Sequence, residues 1–123
     1  MTFDWTDYLH LARQLAARTE EWPEAALRSA ISRSYYGAFC GARNHLRDKE
    51  NQRIPPGAAA HAKVRDVFEK SRDEPRKEIA FYLDTLRRSR NRADYDDTFP
   101  DLRTSAAAAC ELADAILARL AAL

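Results

Sequence analysis

Residues 24–46, EAALRSAISRSYYGAFCGARNHL, decide the fold. Leu27, Ile31, Tyr35, Ala38, Ala42 and Leu46 recur at steps of three and four, the spacing that stacks side chains on one face of an α-helix. Ala30, Phe39 and Cys40 flank that stripe. Pro23, immediately before, suits a first helical position, because the N–H it lacks is one that a helix start leaves unpaired. Gly37 and Gly41 stand four apart inside this helix, where each costs about 1 kcal/mol relative to alanine. Their spacing leaves a shallow track on one face, which reads as room for a second helix to approach closely rather than as a ligand site.

The helical pattern continues on both sides. Trp5, Tyr8, Leu9, Ala12, Leu15 and Ala16 predict a first amphipathic helix over residues 4–18. Residues 48–57 are polar and end in Pro-Pro-Gly, a loop. A third helix follows over residues 58–70 with Val64, Val67 and Phe68 inward, then a turn over residues 71–75. The fourth helix starts near Pro75 and carries Ile79, Tyr82, Leu83 and Leu86 into a run of arginines. Residues 96–100 form another turn, with Thr98 as candidate cap and Pro100 near a first helical position. Leu102, Ala106, Ala109, Ala113, Ile116, Leu120 and Leu123 mark the last helix, in which residues 105–109 are all small. With few β-branched residues, three glycines and no long linker, the expectation is one all-α domain over residues 1–123. Short connections imply an antiparallel up-and-down bundle of four to five helices.

A chain of 123 residues can bury roughly two-thirds of its unfolded surface, so its core needs neither disulfide nor metal. The net charge of +1 gives no global basic field. Sixteen of the twenty basic residues are nevertheless Arg, the side chain suited to bidentate phosphate contacts, although a GC-rich coding sequence produces the same bias. The N-terminus lacks the basic and apolar regions of a signal peptide, and no apolar run approaches the roughly 20 residues of a membrane span, so a cytoplasmic protein without a membrane partner is expected. Cys40 and Cys110 fall on apolar faces and read as buried free thiols. His10, His45 and His61 are isolated, and no paired metal-ligand spacing occurs. Motifs for a phosphate-binding loop, a dinucleotide fold or a zinc protease are absent, so no cofactor is expected.

Two segments carry chemistry. In the first, Arg87-Arg88-Ser89-Arg90-Asn91-Arg92, Arg90 continues the stripe of Ile79, Leu83 and Leu86. An arginine where an apolar residue is due is costly to bury alone, so it calls for an ion pair, a second subunit or a ligand. Asp94 stands four residues on and can pair with Arg90 if the helix reaches that far. One reading makes this pair, with Asn91, a lock on the helix C-terminus. The other makes Arg90 a phosphate ligand that stabilises developing negative charge. Arg87, Arg88 and Arg92 read as rim or solvated charges. In the second segment, Arg28 and Arg33-Ser34-Tyr35-Tyr36, adjacent tyrosines point about 100° apart on a helix. Tyr35 belongs to the core stripe, and Tyr36 lies beside it, at the core edge, at an interface or against substrate.

Together the segments resemble the HEPN domain family. RSAISRSYYGAFCGARNHL is similar to its long helix with paired tyrosines, LRRSRNRADYDD to its Arg-polar motif in the RN-x-ADY form of small stand-alone members, and HAKVRDVF to the stretch between. The resemblance covers nearly the whole chain. It implies a helical bundle that forms a homodimer with its Arg motifs facing across a cleft, and often a metal-independent RNase toxin of a toxin–antitoxin or defence module. A minimal nucleotidyltransferase is the usual antitoxin partner. It implies Arg90 and Asn91 as the motif pair. The candidate site adds Asp94 and Tyr95 to the catalytic segment, and Arg33, Tyr36 and Arg87 at the substrate or an interface. The motif His is missing: Tyr95, Asp96 and Asp97 stand where it is due. Asp94 is the nearest group able to accept a proton, and Tyr95 is a candidate for modification by AMP transfer. RNA or nucleotide binding, with or without cleavage, is the functional expectation. A non-catalytic module bound to the nucleotidyltransferase and a purely structural dimer are the alternatives.

Overall fold

A computed structural model describes residues 2–18 and 20–123. It contains five helices and, among the described residues, no strand: α1 (Thr6–Ala17), α2 (Pro23–Lys49), α3 (Ala59–Glu69), α4 (Glu74–Tyr95) and α5 (Leu102–Ala122). The all-helical bundle expected from the periodicity is what forms. The long α2 is its axis and packs against each of the other four helices. Its stripe is buried as the spacing requires, with Ile31, Tyr35, Ala38, Ala42 and Leu46 at most 2% exposed. Val64 and Phe68 of α3, Ile79, Leu83 and Leu86 of α4, and Ala106, Ala113 and Ile116 of α5 close over it. Each fully buried Leu, Ile, Val or Phe among these contributes about 1.5–3 kcal/mol.

Both helical glycines of α2 serve close packing. A Cβ on Gly37 would lie 3.2 Å from the Trp5 carbonyl oxygen and 3.4 Å from Tyr8 Cβ, so the start of α1 rests directly on α2 there. A Cβ on Gly41 would lie 3.0 Å from Cδ2 of Leu117 on α5. Cys40 and Cys110 are buried and unlinked. No helix of the described residues is long and apolar enough to cross a membrane.

Three element ends differ from expectation. α2 runs on to Lys49, placing Arg47 and Lys49 where cations favour the helix dipole. Glu50 then receives Arg76 of α4 through both oxygens, Nη1 to Oε2 at 2.6 Å and Nη2 to Oε1 at 2.9 Å, and meets His45 Nε2 at 2.9 Å. Arg76 beside it, with some help from His45, holds the Glu50 carboxyl below the usual range. Thr98 caps nothing: α5 begins at Leu102 behind Asp101, whose φ is 56° and whose side chain makes no capping bond. Phe99 sets this turn instead, buried beneath the Arg92 guanidinium at 4.3 Å. The third difference is what closes α4. Arg28, reaching from α2, donates through Nη1 to the carbonyls of Ala93 (2.9 Å) and Asp96 (2.6 Å), and more weakly through Nη2 to that of Asp97 (3.4 Å). The lock on this helix end thus lies chiefly with Arg28, where the sequence reading had offered Arg90 and Asp94.

Candidate functional site

Because α4 stays helical to Tyr95, Arg90 and Asp94 do come together. Arg90 Nε donates to Asp94 Oδ2 at 3.0 Å, and Nη1 donates to Asn91 Oδ1 at 2.9 Å. The Arg90 side chain is 16% exposed, as a charged member of an otherwise apolar stripe must be, and its Nη2 has no partner among the described residues. Its guanidinium lies 5.2 Å from the Tyr36 ring centre and 5.8 Å from that of Tyr95. Arg33 of α2 lies over Tyr8 of α1 at 4.6 Å and Tyr36 at 5.4 Å. Tyr8, Arg33, Tyr36, Arg90 and Tyr95 therefore alternate aromatic ring and cation across α1, α2 and α4. Each such contact contributes about 0.5–1 kcal/mol where exposed and more where desolvated. Ser32 bridges the two arginines weakly, accepting from Arg33 Nη2 at 3.4 Å and donating to Asp94 Oδ2 at 3.5 Å.

Arg88 and Arg92 are surface charges with their own partners, Asp84 at 2.7 Å and Asp96 at 3.7 Å. Arg87 is different. It is half-buried, turned toward α2 and α3, and lines a narrow space with Tyr35, Phe39, His61, Arg65 and Asp84. Among the described residues neither Arg33 nor Arg87 has a carboxylate within ion-pair distance.

His61 is the member of this region that sequence reasoning assigned no role. It lies on α3, and its ring stacks on Phe39 with centres 4.2 Å apart and planes 14° apart. Its Nδ1 is 2.5 Å from the Tyr35 hydroxyl, and Nε2 has no partner among the described residues. Burial raises the Tyr35 hydroxyl far above its ordinary value, so it keeps its proton. It donates to Nδ1 of neutral His61 and can accept from Nδ1–H once the ring is charged. Burial first, then the charges of Arg87 and Arg90, push the His61 pKa down. The only sequence signal for its place was the HAKVRDVF stretch, because spacing along one helix says nothing about which residues of another helix it will meet.

The described residues bring Arg33, Tyr36, Arg90, Asn91, Asp94 and Tyr95 onto one face, with Arg87 and His61 flanking it. Such a face supplies cationic donors for an anion and a nitrogen able to exchange a proton. No three His, Cys, Asp or Glu side chains among the described residues are grouped so as to hold a metal ion. Compared with protein-family models, curated proteins and solved structures, the chain matches none.

Proposed function

We propose that the chain is a HEPN-type protein that binds the phosphates of RNA or a nucleotide on the Arg33–Tyr36–Arg90 face. The observation that carries this reading is the pair of half-buried arginines near Arg90, Arg33 and Arg87, which have no carboxylate within ion-pair distance among the described residues. Acidic residues nearly equal basic ones in this chain, 19 against 20, so partners were not scarce. Partly desolvated guanidinium groups without counter-charges favour an anion, and their planar forks suit phosphate oxygens. The helices form an antiparallel up-and-down bundle, and two copies pair so that both Arg90 side chains face one cleft. The protein acts in the cytoplasm as a metal-independent RNase toxin of a toxin–antitoxin or defence module. Arg90 stabilises charge that develops on the phosphate, and Asn91 holds the guanidinium.

The test uses purified protein with labelled single-stranded RNA in chelator. Wild type should bind and cleave the strand, whereas Arg90→Ala should do neither while keeping its helical circular dichroism. RNA left both unbound and intact by a folded wild-type protein would sink the reading.

The exposure of Tyr95 favours a second version. At 75% exposed, its hydroxyl is open to a modifying enzyme. In that version the chain is a non-catalytic partner of a minimal nucleotidyltransferase, which transfers AMP to Tyr95. Coexpression with such an enzyme, followed by mass spectrometry of the Tyr95 peptide, separates the two.

A further inference from the structure

The face around Tyr36 does not end at Arg90. Arg33, Tyr36, Cys40, Arg43 and Arg47 follow at steps of three and four along α2, so they form one stripe. From Arg33 to Arg47 it rises about 21 Å, and phosphates recur about every 3.4 Å along a stacked strand, so the stripe spans several. Its far half faces an open groove of about 510 Å³ between α2, residues 54–57 and the start of α3.

Three properties of the groove point to its occupant. Arg43 and Arg47 line it and no Asp or Glu does. Arg43 is half-buried and has no carboxylate within ion-pair distance among the described residues: its Nε donates to Asn44 Oδ1 at 3.1 Å and its guanidinium lies 5.5 Å from the Trp5 ring centre. Arg47 is held by Asp48 through Nε at 2.7 Å and Nη2 at 3.1 Å, which leaves Nη1 for a ligand. The second property is aromatic. Tyr36 and His61 line the groove together with Pro55 and Pro56, rings and flat apolar edges suited to a nucleobase, and the buried Phe39 backs the His61 ring from behind. The third is continuity, since Tyr36 both lines the groove and packs against Arg90 at 5.2 Å. The volume lies within the roughly 300–1,000 Å³ of small-molecule sites.

We propose that this groove is a second nucleotide subsite, Arg43 and Arg47 taking a phosphate and the aromatic wall a base, so that the ligand is a single strand running along α2 and not a lone nucleotide. The proposal rests on the phosphate-binding reading of the Arg90 face, and the test keeps the two apart. The probes are AMP and a 5′-phosphorylated tetra-adenylate RNA, titrated by calorimetry into wild type, Arg43→Gln, Arg47→Glu and Arg90→Ala. Arg47 is exposed, so Arg47→Glu does not depend on surviving a change in packing. Wild type should bind the tetranucleotide at least about tenfold tighter than AMP. Arg43→Gln and Arg47→Glu should erase that gain, and Arg90→Ala should weaken both probes. Equal tetranucleotide affinity in wild type and Arg47→Glu would overturn the subsite and leave the Arg90 reading standing. A wild type that binds neither probe would overturn both. If light scattering shows a wild-type dimer that Arg47→Glu separates into monomers, the groove is a subunit contact and the proposal falls.

Discussion

At the residue scale, His61 joins the core to the charged face. Its Nδ1 is engaged by a tyrosine hydroxyl that is 2% exposed, and two arginines act on its ring from α4. The Tyr35 hydroxyl can donate or accept, so it fits either protonation state. Burial and neighbouring positive charge are what oppose protonation. The folded pKa lies below the unfolded value of about 6.5. Below that unfolded value the unfolded chain binds the proton more readily than the folded one. The His61 contribution to stability is therefore fully present above about pH 6.5 and is lost as pH falls through it toward the folded pKa. Chemical denaturation at pH 7.5 and at pH 5 should show wild type weakening more than His61→Gln. Equal losses in the two proteins would show that His61 does not titrate abnormally.

The α4 element owes its last turn to a residue 65 positions away, Arg28 bonded to the Ala93 carbonyl. Helix ends leave carbonyls unsatisfied, and a cation there also meets the negative end of the dipole. Arg28 gathers the carbonyls of Ala93, Asp96 and Asp97 with one fork, and its side chain is only 17% exposed. Hydrogen bonds to a charged group are worth about 1.5–3 kcal/mol, so Arg28→Ala should cost about that much. Arg28→Lys should restore part of it, since a point charge keeps the dipole interaction but loses the fork. Amide exchange should rise in residues 92–97 in both variants. Because Asp94 and Tyr95 sit on that turn and Asp94 holds Arg90, its fraying would also disorganise the candidate site. A melting temperature unchanged by Arg28→Ala would refute this account of the helix end.

For the whole molecule, near-neutral net charge goes with many ion pairs, some between helices, such as Arg119 with Glu78 at 2.6 Å and Arg76 with Glu50 at 2.6 Å, and some along α4, such as Arg90 with Asp94 at 3.0 Å. Among the described residues, Arg33 and Arg87 beside Arg90 have no carboxylate within ion-pair distance. If Arg33, Arg87 and Arg90 each neutralise one phosphate of a single strand, the logarithm of affinity should fall against the logarithm of salt with a slope of about −2. Anisotropy titrations from low to high salt measure it. Arg33→Gln should reduce the slope by about 0.7, whereas a slope near zero would mean that phosphate is not what the face recognises.

Spacing along the chain sets the helices and the inward side of each. Helical periodicity is a local property, so the Leu27-to-Leu46 stripe, the Gly37 and Gly41 track, the buried thiols and the placement of Arg90 above Asp94 could all be read from spacing. Thr98 misled because its residue type favours capping, but burial of Phe99 beneath Arg92 governs that turn. Only the tertiary structure decided which helices face one another and at what rotation. That rotation brought Tyr35 to His61, Arg28 to the end of α4, Arg76 to Glu50, and Tyr36 to both Arg90 and the groove. Each joins residues on different helices, and the meeting of two side chains across a bundle depends on how whole helices settle against a shared core, which no spacing along one helix encodes.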